Sequence, residues 1–166
     1  MTQITLHRRT LLSSVGALAL SACSPGVADA SERQYADSPF RRLTEAQWRE
    51  RLPPASFNVL RREATERPFS SPLNDERRRG TFVCRGCDLP LFRSRWKYDS
   101  GTGWPSFYDV IAANIGTKRD FLIGIPRTEY HCARCLGHQG HIFNDGPRPT
   151  GKRYCNNGAA LRFQPA

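Results

Sequence analysis

The sequence has no apolar stretch long enough to cross a membrane. Its most apolar segment, Leu11 to Leu20, has about ten residues, whereas a spanning helix needs roughly 20. Internal repeats and low-complexity segments are also absent, which excludes a repeat architecture. With 166 residues and 39% hydrophobic content, the chain suits one domain with a real core and is too short for two.

Acidic residues are few in this chain. It has 15 Asp plus Glu against 25 Lys plus Arg, so its formal net charge is +10. This balance suits an anionic partner, but an exported protein can be basic for solubility alone. Charge therefore assigns no function by itself.

The first 22 residues have the features of an export signal. The pair Arg8–Arg9 precedes the apolar segment, and small residues follow it. This order is typical of a twin-arginine signal peptide, which we predict over residues 1–22; an ordinary secretory signal with a chance arginine pair is the alternative. Its cleavage would leave a net charge of +8. We expect the mature protein in the cell envelope or periplasm.

The next segment predicts attachment to a membrane. The run "LSAC", Leu20 to Cys23, resembles the lipobox of bacterial lipoproteins, in which the cysteine is acylated. We therefore predict lipidation of Cys23 and a lipid anchor. Residues 23–42 are mostly polar, with scattered Pro, Gly, Ala and Ser, a composition typical of a tether. Residues 43–166 then form the domain.

The domain is expected to open with two short helices. Thr44 and Gln47 have the spacing of a capping box, and Leu43 and Trp48 that of a hydrophobic staple. The pair Pro53–Pro54 ends this first helix. The run "ASFNVLRRE" predicts the second helix, and "RPFSSPLND" predicts a loop.

The rest of the domain has a composition typical of β structure. Short runs rich in β-branched and aromatic residues alternate with Gly, Pro, Asn and Asp. The runs are "TFVC", "DFLIGI", "RTEYHC", "HIF", "RYC" and "ALRF". They predict a mainly β, mostly antiparallel fold.

Four cysteines form two CxxC motifs, which are typical of a zinc site. They are Cys84, Cys87, Cys132 and Cys135. Two such pairs can place four thiolates tetrahedrally around Zn²⁺, which leaves no open position, so the zinc would be structural. The alternatives are a disulfide framework and a thioredoxin-like redox pair. We favour one zinc per chain because neither pair lies at a strand-to-helix turn, and because the twin-arginine pathway exports folded proteins.

Cys155 is left over as a single unpaired thiol. Such a thiol is either buried and inert or kept for chemistry. Lys152 and Arg153 precede it, and cations beside a thiol lower its pKa and increase its thiolate fraction. His138 and His141 follow the second cysteine pair directly. These residues are the first candidates for catalysis.

Five ordered segments resemble the B type of peptide-methionine sulfoxide reductase and span about residues 42–164. They are "RPFSSPLND", "GTFVCRGCDLPLF", "KYDSGTGWPSF", "RTEYHCARCLGHQGHIFNDGPRPTG" and "RYCNNGAALRF". The resemblance implies two antiparallel β-sheets with short N-terminal helices and a structural zinc on the four CxxC thiolates. It also implies reduction of methionine-R-sulfoxide, free or in proteins.

The resemblance also implies roles for individual residues. Cys155 matches the nucleophile, and Asn157 the asparagine two residues after it. His141 and His138 match the histidines of the "GHxGHxF" motif, and we assign His141 as the acid that protonates the sulfoxide oxygen. The resemblance further implies a pocket for the methyl group of the substrate. Trp104 would contact this group, and Phe143 would lie in the same pocket.

The sequence departs from the family pattern at several positions. Many members read "SGCGWPSF", whose cysteine resolves the sulfenic acid formed on the nucleophile; here that position is Thr102. An external thiol, such as a thioredoxin-like protein, is therefore expected to reduce Cys155. Gln139 and Asn156 replace residues that are more often apolar, and Asn156 is expected to make the surroundings of the nucleophile more polar.

Two rival functions remain at this stage. Paired CxxC motifs with the basic run Arg77–Arg79 are also found in zinc-ribbon modules that bind nucleic acid. A disulfide-exchange protein would use Cys84 and Cys87. The export signal argues against a nucleic-acid partner, so we expect none, and we expect a monomer.

Overall fold

The computed structural model describes residues 30–122 and 124–166. The predicted signal peptide, the lipobox and Cys23 lie outside the described residues. Within the described ranges no helix is both long and apolar enough to cross a membrane.

In the part of the chain that the structure describes, three short helices precede the sheets, namely α1 (Ala30–Arg33), α2 (Glu45–Arg51) and α3 (Pro54–Arg62). The predicted capping box of α2 is present, because the Thr44 side chain accepts from the Gln47 amide and Gln47 bonds back to the Thr44 amide. Trp48 is buried in the core. The second proline of the predicted pair does not end a helix, because Pro54 is the first residue of α3. The N–H at that position has no hydrogen-bond partner within any helix, so proline loses nothing there.

Residues 30–42, which composition assigns to the tether, pack against the domain. The Arg41 guanidinium donates to the Ala133 carbonyl at 2.7 Å. The Glu32 carboxylate lies 2.9 Å from Nε2 of His131. Tyr35 and Phe40 of the same segment also pack against the core, but the segment has no regular hydrophobic period, so the sequence pattern did not indicate this packing.

Within residues 30–122 and 124–166, nine strands form two sheets, and every paired neighbour is antiparallel. The first sheet has the order β2-β1-β9 and the second β3-β4-β8-β7-β6-β5. The strands are β1 (Gly80–Cys84), β2 (Pro90–Arg93), β3 (Lys97–Tyr98), β4 (Ser106–Phe107), β5 (Ile115–Asp120), β6 (Arg127–Cys132), β7 (His138–Phe143), β8 (Arg153–Asn156) and β9 (Leu161–Pro165). The predicted mainly β fold with two antiparallel sheets and short N-terminal helices is confirmed.

One predicted strand is wrong. The run "DFLIGI" reads as an apolar strand, but β5 ends at Asp120 and the chain turns back into β6. The Gly124 amide donates to the Phe121 carbonyl at 3.0 Å, and Gly124 has φ 76°. Glycine adopts this left-handed conformation without steric cost, which permits the tight turn.

Aromatic rings from both sheets form the centre of the core. Phe92 of the first sheet stacks on Phe107 of the second with ring centroids 4.1 Å apart. Phe82 and Tyr130 contact the same pair edge-on. All four rings are fully buried, so the two sheets are joined by aromatic packing.

Candidate active site

The four CxxC cysteines meet in one buried cluster. Cys84 is the last residue of β1 and Cys87 lies in the tight turn that follows; Cys132 likewise ends β6, and Cys135 lies in the turn after it. The Sγ atoms of Cys84 and Cys135 are 3.6 Å apart, those of Cys87 and Cys132 3.4 Å, and all four lie within 4.8 Å of one another. Four thiolates at ~2.3 Å from one tetrahedral metal are about 3.8 Å apart. The cluster can therefore hold a metal ion.

The chemistry of this donor set also fits a cation. All four thiols are buried and free of disulfides. Hydrogen bonds from Cys132 and Cys135 lower the pKa of Cys87, whereas those from Cys132, Cys135 and Cys87 raise the pKa of Cys84. A bound cation would favour the thiolate form of such cysteine ligands.

Cys155 lies on β8, between two other strands of the larger sheet. Its Cα is opposite that of His141 on β7 and that of Ser106 on β4. Side chains of directly opposite residues in an antiparallel pair point to the same face, so Cys155 and His141 share a face. A Cβ at Gly140 would lie 1.9 Å from the Cys155 carbonyl oxygen, so glycine allows these strands to approach.

A pocket of about 120 Å³ opens over this pair. It is lined by Thr65, Trp104, Arg127, Gly140, His141, Phe143, Cys155, Asn156 and Asn157. Five of the residues singled out in the sequence thus line one cavity, namely Cys155, His141, Asn157, Trp104 and Phe143. Of the predicted catalytic residues, His138 is not among its walls. The pocket combines an aromatic wall with a thiol and an imidazole.

The environment of Cys155 differs from the sequence prediction. Burial raises the pKa of the Cys155 thiol above its usual value, although Arg153 and the Thr102 hydroxyl act in the opposite direction. Lys152, also expected to activate the thiol, instead donates to Asn144 Oδ1 at 2.6 Å. The effect of burial on the pKa of Cys155 therefore outweighs that of Arg153.

His141 is held by a carboxylate that the sequence analysis missed. Its Nε2 donates to Asp120 Oδ2 at 2.7 Å, and Asp120 also pairs with Arg127 across the hairpin. Burial lowers the pKa of His141, while the Asp120 hydrogen bond opposes that change. Because Nε2 is engaged, Nδ1 is the ring nitrogen left to meet a substrate. Opposite charges at the two ends of the turn were the available sequence signal.

His138 lies behind His141 rather than in the pocket. Only 3% of it is exposed, and its Nδ1 bonds to Glu129 Oε1 at 2.7 Å. Burial would raise the pKa of Glu129, but hydrogen bonds from His131 and His138 outweigh it and hold that pKa at about 2. The His138 and His141 ring centroids are 5.5 Å apart. His138 can therefore act on the pocket only through its neighbour.

Glu66, also missed in the sequence, anchors two pocket residues. The Trp104 indole N–H donates to the Glu66 carbonyl at 3.1 Å, and the Glu66 amide donates to Asn157 Oδ1 at 3.0 Å. Asn157 Nδ2 donates to the Gln139 carbonyl at 3.0 Å. The indole face and the asparagine are therefore fixed by backbone contacts, and Asn157 positions the strand end.

Phe143 lines the remaining side of the pocket, and Arg153 packs against it. The Arg153 guanidinium lies 4.2 Å from the Phe143 ring centroid. It also forms two hydrogen bonds of 2.8 and 2.7 Å with the Asp145 carboxylate. This paired geometry holds the cation two residues from Cys155.

Comparison with known proteins assigns the family. The SelR domain matches residues 52–165, and the chain belongs to this family of oxidoreductases. Its curated relatives are peptide methionine sulfoxide reductases of the MsrB type. The Bradyrhizobium diazoefficiens protein "Peptide methionine sulfoxide reductase MsrB" is 51% identical over 123 residues, which cover 74% of this chain and 88% of the relative.

Two further relatives bear similar names. "Peptide methionine sulfoxide reductase MsrB" of Pseudomonas entomophila is 53% identical over 123 residues, with 74% of this chain and 94% of the relative covered. "Peptide methionine sulfoxide reductase B1, chloroplastic" of Arabidopsis thaliana is 44% identical over 156 residues, with 93% and 76% covered. The family predicted from the sequence, and with it an enzyme, is confirmed.

Proposed function

We propose that the chain reduces methionine-R-sulfoxide, in proteins or free, to methionine at Cys155. The observation that carries this proposal is the pocket in which Cys155 and His141 face the indole of Trp104. The apolar wall of Trp104 and Phe143 would receive the methyl group of the substrate. The sulfoxide would then lie between the thiol and the imidazole.

In the first step the Cys155 thiolate attacks the sulfoxide sulfur as His141 delivers a proton from Nδ1 to the sulfoxide oxygen, which gives an adduct with a bond between the two sulfur atoms. That bond and the S–O bond of the substrate then break as the oxygen transfers to Cys155 Sγ, so methionine leaves and Cys155 carries a sulfenic acid. The substrate is reduced by two electrons and the thiol is oxidised by two. Acid assistance is needed because the sulfoxide sulfur is a poor electrophile until its oxygen is protonated.

An external thiol completes the cycle. It attacks the sulfenic acid, water leaves, and a mixed disulfide forms; a second thiol releases Cys155 and becomes the oxidised disulfide. Thr102 occupies the position of the family's resolving cysteine, and its hydroxyl interacts with Cys155. A thioredoxin-like protein is the proposed reductant.

We assign zinc to the cysteine cluster. Cys84, Cys87, Cys132 and Cys135 would hold it, since an all-thiolate tetrahedral set is the usual structural site of this metal. Bound zinc would supply cross-linking of the two turns and no redox chemistry. All four thiols are buried, which argues against disulfide exchange, because that reaction needs an accessible thiolate.

We further propose that the enzyme is an exported monomer that repairs oxidised proteins of the cell envelope. The twin-arginine pattern and the lipobox at Cys23 support export and anchoring. Changing Cys23 to Ala should move the protein from the membrane fraction to the soluble fraction. Replacing Arg8 and Arg9 by Lys should retain the precursor in the cytoplasm, and unaltered export of that variant would reject the twin-arginine pathway.

The activity is tested with the separated R and S sulfoxides of N-acetyl-methionine and dithiothreitol as reductant. Turnover of the R form alone is expected, with one methionine formed per enzyme when the reductant is left out. Dimedone should then label Cys155 as a sulfenic acid. A disulfide between Cys155 and a CxxC cysteine would reject the single-thiol mechanism.

A further inference from the structure

The tip of the β5–β6 hairpin is apolar and exposed. Leu122 is 85% exposed, Ile125 66% and Phe121 58%. A soluble domain gains nothing from presenting large apolar side chains together, so such a patch indicates a contact surface. The tip was predicted as a strand, and its apolar residues have no place in the core.

This apolar tip begins where the catalytic pocket ends. Asp120, the residue before Phe121, bonds to His141. Arg127, two residues after Ile125, lines the pocket itself. The two ends of the hairpin are therefore part of the site, and its tip continues the pocket rim outward.

A fourth exposed apolar side chain adjoins the pocket at Trp104. Phe69 is 75% exposed, and its amide donates to the Gly103 carbonyl at 2.7 Å. Phe69 has φ 62°, a conformation that bulky residues rarely adopt. A phenylalanine held in this conformation with its ring in solvent again indicates a surface used for contact.

We propose that the hairpin tip and Phe69 bind the apolar residues that flank a methionine sulfoxide in an extended segment of an unfolded protein. This inference rests on the proposed function and names its substrate class. The pocket, at about 120 Å³, takes one side chain, so the residues next to it in a polypeptide must lie over the rim. Methionine is usually buried among apolar neighbours, and its oxidation disrupts that packing. Apolar residues recur within a few positions of one another in buried segments, so substrates of this kind carry apolar residues close to the sulfoxide in sequence.

The test compares three R-sulfoxide substrates on the full-length chain with dithiothreitol as reductant. They are N-acetyl-methionine sulfoxide, a peptide with Leu and Phe beside the sulfoxide, and a peptide of equal length with Ser and Gly there. The wild type should show a kcat/KM about tenfold higher for the apolar peptide than for the polar one, because flanking contacts add binding energy.

The variant Phe121→Ser/Leu122→Ser/Ile125→Ser should bring the apolar peptide down to the polar one and leave N-acetyl-methionine sulfoxide unchanged. Asp120 and Arg127 stay intact in it, so the pocket is preserved. Leu136→Asn is the matched control: Leu136 is also exposed, lies in the second cysteine turn and has φ 58°, which Asn tolerates. It should keep the full preference.

Equal wild-type rates on the two peptides, with N-acetyl-methionine sulfoxide turned over, would overturn this inference and leave the proposed function intact. An equal loss on all three substrates in the triple variant would overturn it too, because the hairpin would then only support the pocket. Binding of anionic vesicles that the triple variant loses, without any peptide preference, would reassign the tip to a membrane. A metal-bearing wild type inactive on every substrate would reject the proposed function itself.

Discussion

Five cysteines of the described chain lie in two contrasting environments. Four share one buried cluster at the ends of two strands, whereas Cys155 is alone and half-buried at the floor of a pocket. The cluster thiols are surrounded by one another, and Cys155 is surrounded by Arg153, Thr102 and His141. Under the proposed function the same functional group would serve rigidity in one place and reactivity in the other, and what differs is access to the thiol and the supply of protons.

The contrast predicts opposite consequences for the same substitution. Cys155→Ser should lower the turnover of methionine-R-sulfoxide by at least ~1000-fold, because an alcohol is a far poorer nucleophile than a thiolate. Metal content and melting temperature should stay at the wild-type level. Residual activity of a few per cent would place the nucleophile elsewhere.

Cys84→Ser should have the opposite effect, with loss of metal and stability and little direct effect on turnover. Loss of one ligand from a four-thiolate site should remove the metal and lower the melting temperature by at least ~10 °C, with activity falling only as the folded fraction falls. Metal analysis and calorimetry on the same preparation check both. A metal-free Cys84→Ser protein with unchanged melting temperature would remove the structural role of the cluster.

Removal of the His141 imidazole beside Cys155 should have the next largest effect on activity. His141→Ala is expected to slow single turnover by about 10²–10⁴-fold with the metal retained. Asp120→Asn removes the hydrogen bond that raises the pKa of His141, so that pKa should fall further and the protonated acid should be lost at lower pH. Activity of Asp120→Asn should therefore drop by a larger factor at pH 7 than at pH 5, because His141, whose pKa is already lowered, titrates below the usual histidine range; an equal loss at both pH values would contradict this role.

The reactivity of Cys155 without substrate should follow its burial. Because burial raises its pKa, the rate of alkylation by iodoacetamide should still be rising with pH above the usual thiol range. Thr102→Val deletes a hydroxyl that favours the thiolate and should move this pH midpoint up, by less than one unit. Thr102→Ser, which keeps the hydroxyl, should not.

The two environments are connected by a buried polar pair, and breaking it gives the smallest effect. Gln139 donates to Cys84 Sγ at 3.4 Å and accepts from Asn156 Nδ2 at 3.5 Å. Asn156 directly follows Cys155, but its amide is fully buried and also accepts from Tyr130 at 2.6 Å. Its amide is thus engaged in this buried network, while Asn156 also lines the pocket beside Cys155, so the expectation that it makes the surroundings of Cys155 more polar stays a prediction.

Gln139→Leu and Asn156→Ile should each lower the free energy of unfolding by about 1–3 kcal/mol, since each leaves a buried partner without its hydrogen bond. The double variant should cost less than the sum by about 1 kcal/mol, because both groups are then removed together. Urea unfolding of the four proteins measures this coupling. Strict additivity would show that the two amides act independently.

What could be predicted from the sequence was local. The cysteine cluster follows from two CxxC spacings, and the start of α2 follows from Thr44 and Gln47. Glu66 and Asp120 could not be predicted, because their roles depend on which distant segments the fold brings beside them. The apolar run after Asp120 was misassigned, since a pattern of side chains records hydrophobicity and not whether a partner strand is available.

The two histidines show a subtler limit. Residues three apart in a regular strand point to opposite faces, yet the rings of His138 and His141 lie 5.5 Å apart. The pairing of β6 with β7 shifts register at Tyr130–His131, and such an irregularity changes which side chains share a face. Sequence spacing alone does not reveal a bulge, so it could not distinguish the histidine at the pocket from the one behind it.

The packing of residues 30–42 sets how far the enzyme can reach. For a chain anchored at Cys23, as proposed, a free tether up to Leu43 would span at most about 70 Å, at ~3.5 Å per extended residue. Because the chain is already attached to the domain from Ala30 onward, only seven residues remain, and the limit falls to about 25 Å. The catalytic domain would then be confined to a thin layer above the bilayer, and its substrates would be proteins that unfold at the membrane surface.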